Sequence, residues 1–263
     1  MLVAAAVLPH PPVLVPEVAA EAAGELDEVR AGCLATLKHV AQAHGEGCDV
    51  VLVGAGPTRA TFGSGTVGSL RGFGVPIDLR LPGPGTEAGG QSEAGGQSDV
   101  PLPSLPLSLT VGAWLMKQIG QWSEGGRVRA ESVPSDLEPA EAAALGRELA
   151  ASADRVVLVA MGDGSAALSA KAPRYIVPGA QEWQSSVTSA LASADCAALA
   201  AIDPQDADRF AAAGRVSWQV LAGAAGAGVS GEGAWSAELI AADDRYGVGY
   251  VVAWWTRVDG VGP

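Results

Sequence analysis

Three short apolar runs organise the chain. Residues 2–8, 49–54 and 155–161 show no polar alternation past their first position, so they read as strands buried on both faces of a parallel sheet. Each stops at a turn-forming cluster: Pro9-His10-Pro11-Pro12, Gly54-Ala55-Gly56-Pro57 and Gly162-Asp163-Gly164-Ser165. Between the first two runs, residues 18–43 place apolar and small side chains at helical spacing with Glu21, Glu25 and Glu28 outward, which predicts one long helix. Farther on, the spacing predicts helices over 107–122, 139–153, 180–194, 196–202, 205–213 and 216–225. Strands are predicted over 127–133, 236–241 and 248–255, with short ones around 62–70 and 75–81. This alternation predicts a single α/β domain over 1–263, with a mostly parallel central sheet flanked by helices. Ligands of such sheets bind outside the carboxyl ends of the strands, so His10, residues 54–57, Asp163 and Ser165 occupy the positions to watch.

Composition narrows the function. The 263 residues, 48% hydrophobic and 17% charged, are enough for a full core. Sixteen Lys and Arg against 29 Asp and Glu give a net charge of −13, which argues against nucleic acid or an anionic membrane as a partner. A literal duplication, Glu87-Ala88-Gly89-Gly90-Gln91-Ser92 followed by Glu93-Ala94-Gly95-Gly96-Gln97-Ser98, lies in a tract over 83–100 too poor in apolar residues to order itself; it is expected to be a disordered surface insertion. Three cysteines without CxxC spacing fit a reduced, cytoplasmic setting. The apolar start has no basic flank and meets Pro9 too soon for a signal peptide or a membrane span.

The candidate chemistry is sparse. Gly63-Ser64-Gly65-Thr66-Val67-Gly68 matches GxGxxG, but no helix start follows, so it reads as a loop. Asp163 and Ser165 at a strand end admit a hydrolase, although Ser165 is not in a GxSxG elbow and none of the three histidines is an obvious base for it. His39 and His44 fall late in the first predicted helix, roughly 30 Å from its start for His39. His10, between two strand-ending prolines, is the histidine at the sheet's carboxyl edge. A ligand pocket is expected around His10, Asp163 and Ser165, with Lys171, Arg174 and Tyr175 from the following loop.

The opening Val7-Leu8-Pro9-His10-Pro11-Pro12-Val13-Leu14-Val15-Pro16-Glu17 resembles that of the class III extradiol ring-cleavage dioxygenase superfamily, typified by the protocatechuate 4,5-dioxygenase beta subunit and including Memo-type proteins. The glycine-rich end of the second strand, Gly-Asp-x-Ser at 162–165 and Tyr246-Gly247-Val248-Gly249-Tyr250 follow in the family's order. The resemblance implies Fe(II) held by two histidines and a glutamate, with a further histidine as acid and base; three protein ligands leave room for substrate and oxygen. His10 matches the first ligand. Residues 54–57 hold no imidazole, Ala166 stands where the acid–base histidine is expected, and residues 214–219 hold no glutamate. Three classes follow from this outline. The foremost is a noncatalytic or repurposed binding member with a degenerate metal site and no cofactor, whose partner is a small molecule or a protein, another copy of the chain included. An Fe(II) dioxygenase with an altered site comes next, with His10 as its metal ligand, and a metal-independent hydrolase third.

Overall fold

In the computed structural model, which describes residues 1–44, 46–83, 104–120, 122, 126–227 and 234–258, the unbroken apolar runs become central strands because each feeds two cores at once. In chain order the described elements are β1 (Leu2–Leu8), α1 (Pro16–Ala19), α2 (Asp27–His44), β2 (Asp49–Gly56), β3 (Ala60–Gly63), β4 (Val67–Ser69) and β5 (Asp78–Arg80). Then come α3 (Leu107–Ile119), β6 (Val128–Pro134), α4 (Pro139–Ala150), β7 (Val156–Met161), α5 (Ala180–Ser193), α6 (Cys196–Ala200), α7 (Pro204–Arg209), α8 (Arg215–Ala225), β8 (Trp235–Asp243) and β9 (Tyr250–Arg257). Ala4, Ala6 and Leu8 of β1 pack into one core, while Leu2, Ala5 and Val7 pack into the other. Val157, Val159 and Met161 of β7 divide from Val156, Leu158 and Ala160 in the same way. Apart from a register shift between Leu2 and Ala4, the period-two alternation of side-chain direction is thus present, with apolar residues on both faces.

The main sheet runs β3-β6-β2-β7-β1-β9-β8, with β6, β2, β7 and β1 parallel and β3, β9 and β8 antiparallel to their neighbours. From β1 the chain steps outward past the place of β7 to β2 and then β6, before it returns to β7. Right-handed crossovers in opposite directions put their helices on opposite faces. Accordingly α2 and α3 cover one core, and α4, α5 and α8 the other. β4 and β5 form a separate two-stranded sheet in the glycine-rich region, with a turn at Gly65 where GxGxxG would need a helix. This is the predicted α/β architecture, a mixed and mostly parallel sheet between helices, in one domain.

Two expectations change. The long helix predicted over 18–43 is divided: α1 stops at Ala19, residues 20–26 form a 3-10 segment, and α2 begins at Asp27. Ala20 takes φ +50°, outside helical geometry, so periodic apolar spacing carries across the break without a continuous helix. The repeat tract expected to be disordered lies outside the described residues, apart from Gly83. No helix among the described residues is long and apolar enough to cross a membrane, and the three cysteines form no disulfide.

Candidate functional site

The carboxyl ends of β1 and β7 lie side by side. These strands are neighbours, yet the chain leaves β1 for α2 on one face and leaves β7 for α5 on the other, which makes this a topological switch point. Leu8 pairs with Met161, so His10 and Asp163 stand opposite one another two residues farther on. The Gly162 N–H donates to the Leu8 carbonyl at 2.8 Å, and the His10 N–H donates to Asp163 Oδ1 at 2.7 Å. His10 Nδ1 lies 3.8 Å from the same oxygen, and it is buried without a hydrogen-bond partner among the described residues. The His10 side chain is 9% exposed and that of Asp163 15%, so the pair is nearly enclosed.

Burial pushes the Asp163 carboxyl above its ordinary range, against the opposing influence of the nearby His10 imidazole and the His10 N–H. Burial, and then the charge of Asp163, push the Cys33 thiol and the Tyr250 phenol well above their usual values. Cys33 is therefore a protonated and inert core thiol. The loop carrying His10 is held from α2: Arg30 donates to the carbonyls of Leu14 at 2.7 Å and Ala23 at 2.9 Å, and pairs with Asp27.

Ser165 is fully buried and its hydroxyl is occupied. It donates to the Phe210 carbonyl at 3.1 Å and accepts the Ala167 N–H at 3.1 Å, while the Ser165 N–H donates to Gln184 Oε1 at 2.8 Å. Gly164 and Gly249 make room for Gln184, since a Cβ on either would come within 2.1 and 2.3 Å of its side-chain amide. Ser165 thus braces the strand-end loop, and its oxygen faces a carbonyl rather than a base. Lys171, Arg174 and Tyr175 are exposed, and no hydrogen bond or ion pair among the described residues links their side chains to His10 or Asp163. Of the six residues expected to share a pocket, the structure joins His10 and Asp163 directly. Gln184 was not singled out by sequence, and Tyr250 entered only as the last residue of the 246–250 segment; the glycines at 164, 247 and 249, which crowd against neighbouring side chains, were the available signal.

The donor set does not fit an iron triad. At the end of β2, a Cβ on Gly54 would stand 2.4 Å from Ser108 Oγ, and one on Gly56 2.2 Å from Ser132 Oγ. Both serines are fixed in place, Ser108 donating to the Ala55 carbonyl at 2.6 Å and Ser132 to that of Thr58 at 2.8 Å. The strand end where the resemblance calls for a second histidine therefore lacks the imidazole and the room for one at either glycine. Residues 214–219 do reach the site, where the Gly214 N–H donates to the Asp163 carbonyl at 2.8 Å, but they bring glycine backbone and the Trp218 ring instead of a carboxylate. Among the described residues no three His, Cys, Asp or Glu side chains are grouped to hold a metal. His39 stacks on Trp254 with ring centres 4.3 Å apart. Trp254 pairs with Ala6, four residues or about 13 Å of strand before His10. The helix break brings His39 to about 18 Å from the start of α2 instead of 30 Å, still away from the strand ends. A cavity of about 720 Å³ lies at the amino ends of the strands, lined by Met1, Ala227 and residues 150–154, remote from this chemistry.

No family model and no curated protein matches the chain. Among solved structures, the uncharacterized protein JW3007 from Escherichia coli K12 aligns over 97% of this chain and 99% of its own, with a TM-score of 0.52 and 14% sequence identity. The two share a fold. The likeness extends over the whole α/β domain and carries no assignment of activity.

The environment of Asp163 makes a stability prediction. A carboxyl whose folded-state pKa is raised favours folding fully below its unfolded pKa, about 3.9, and loses that contribution as pH rises through the folded value. Asp163→Asn keeps an oxygen for the His10 N–H without the buried charge. It is expected to be about 1 kcal/mol more stable than the parent at pH 7, a difference that vanishes below about pH 4. Asp163→Ala leaves the His10 N–H unsatisfied and is expected to cost about 1–3 kcal/mol. Urea unfolding of both variants across pH checks the pair; an Asn variant as unstable as the Ala variant would reject this account of the carboxylate.

Proposed function

We propose that the chain is a class III extradiol dioxygenase-like protein that has lost ring-cleaving iron chemistry and keeps the carboxyl ends of β1 and β7 for binding a small polar ligand. The observation that carries this reading is the closure of the β2 end by Ser108 and Ser132 beside an intact His10–Asp163 pair. His10 Nδ1 is buried without a hydrogen-bond partner among the described residues beside the enclosed Asp163 carboxyl, so a polar ligand admitted between the strand ends meets unsatisfied hydrogen-bonding groups there. Stability given up to bury an uncompensated polar group is a recurrent mark of sites kept for binding. The carboxyl edge of β1, the His-Pro-Pro opening and the Tyr-Gly-Val-Gly-Tyr closing segment support the family reading. The odd cysteine set supports a cytoplasmic location.

The test is aerobic turnover of catechols after anaerobic Fe(II) loading. No ring-fission product is expected from the parent or from His10→Ala. Yellow product from the parent, lost in His10→Ala, would establish the altered dioxygenase instead.

A further inference from the structure

We infer that two copies of this chain form a two-fold dimer centred on the Tyr246 turn, in which a basic, apolar finger of each copy seats on an acidic ridge of the other. The finger follows β7. Residues 164–181 contain Lys171 and Arg174 and no acidic residue, in a chain with 16 basic and 29 acidic residues. At its tip Tyr175 is 72% and Ile176 62% exposed. These side chains stand on a fixed backbone: the N–H groups of Arg174, Tyr175 and Val177 donate to the carbonyls of Ala166, Ala172 and Ala167 at 3.0–3.1 Å, and Arg209 holds the Pro178 carbonyl at 3.0 Å. Tyr175 has φ +58°, a conformation disfavoured for a bulky residue and kept where the surroundings impose it. A rigid exposed apolar tip is ready for a partner, because little entropy remains to be lost on docking.

The ridge precedes and opens α2. Glu17, Glu21, Glu25, Asp27 and Glu28 are all exposed, and residues 2–29 contain no Lys or Arg. Asp27 pairs with Arg30, which leaves Glu17, Glu21 and Glu28 with no ion-pair partner among the described residues. In each copy the turn at Tyr246 lies between ridge and finger. Tyr246 Oη donates to Glu25 Oε2 at 2.6 Å on one side; on the other the Gly247 carbonyl accepts the Leu168 N–H at 3.1 Å, and Gly247 packs against Ser169 and Ala172. A two-fold axis through this turn exchanges the two flanks. Each finger then meets the opposite ridge, and the self-complementarity required of an isologous interface is satisfied in sign of charge. Tyr246, 37% exposed, falls at the centre, where aromatic anchors concentrate binding energy.

Sedimentation velocity of the full chain tests this. The parent is expected to dimerise, more tightly at low than at high ionic strength. Lys171→Glu/Arg174→Glu and Glu21→Lys/Glu28→Lys should each raise the dimer dissociation constant about 100-fold or more, with unchanged circular-dichroism spectra because every altered residue is exposed. An equimolar mixture of the two double variants should sediment as a dimer, since both finger–ridge contacts regain opposite charges. Tyr175→Ser/Ile176→Ser should weaken the parent dimer about tenfold without altering charge. A monomeric parent, a dimer indifferent to these reversals, or a mixture that stays monomeric overturns the proposal.

Discussion

Gly223→Ala should lower the melting temperature by about 6–12 °C, the shift expected of about 3 kcal/mol in a domain of this size. Gly223 of α8 and Gly146 of α4 are reciprocal contact points. A Cβ on Gly223 would stand 2.2 Å from the Ala143 carbonyl oxygen, and one on Gly146 2.0 Å from that of Val220. Both obstacles are backbone atoms in helices, so relief requires the helices to separate. Every residue of α8 is buried between the sheet and its covering helices, so separation disturbs packing on both sides. Ala gains up to about 1 kcal/mol over Gly in helix propensity, too little to offset this. Gly72→Ala, where a Cβ meets nothing within 4 Å, is the control and should lie within about 0.5 kcal/mol of the parent. Thermal unfolding followed by circular dichroism separates the two; equal melting temperatures would contradict the close approach of α4 and α8.

Arg215→Met should cost about 3 kcal/mol by denaturant unfolding. Arg215 is buried at the start of α8, where it donates to the Leu137 carbonyl at 2.9 Å, to Gln219 Oε1 at 2.7 Å and to the Ser135 carbonyl. Burial pulls its pKa down, yet nearby Glu138 and Asp136 favour its charge. Methionine fills much of the volume but leaves three acceptors without their donor, and the missing partners rather than the lost charge dominate the cost. The residue matters to the site because it directly follows Gly214, which precedes α8 and whose N–H donates to the Asp163 carbonyl. If Gln219→Leu is added to Arg215→Met, the combined loss should fall below the sum of the single losses, since one shared bond is counted in both. An additive pair would show that Arg215 and Gln219 do not act together.

The sequence was most legible where side-chain pattern and burial coincide. The runs at 2–8, 49–54 and 155–161 identified β1, β2 and β7 closely because both faces of each strand are buried, and their carboxyl ends identified His10 and Asp163. It was less legible where backbone conformation decides. The break at Ala20 lies within an amphipathic pattern that continues undisturbed, and nothing in alanine's composition announces φ +50°. Ser165 drew attention as a strand-end nucleophile, but its role depends on Phe210 and Gln184, 45 and 19 residues away. Lys171, Arg174 and Tyr175 were near the site along the chain, but their side chains point into solvent. The missing second histidine was visible in residues 54–57; the serines that close the space came from α3 and β6, which only the tertiary structure brings to Gly54 and Gly56.

The central claim, a retained His10–Asp163 pair without an iron triad, is tested most directly by anaerobic calorimetric titration of Fe(II) into the full chain and into His10→Ala. Two donors without a third cannot make the facial arrangement that holds iron in ring-cleaving sites. The account predicts weak binding without a defined stoichiometry, the same in both proteins. One tightly bound Fe(II) per chain in the parent, absent from His10→Ala, would contradict it.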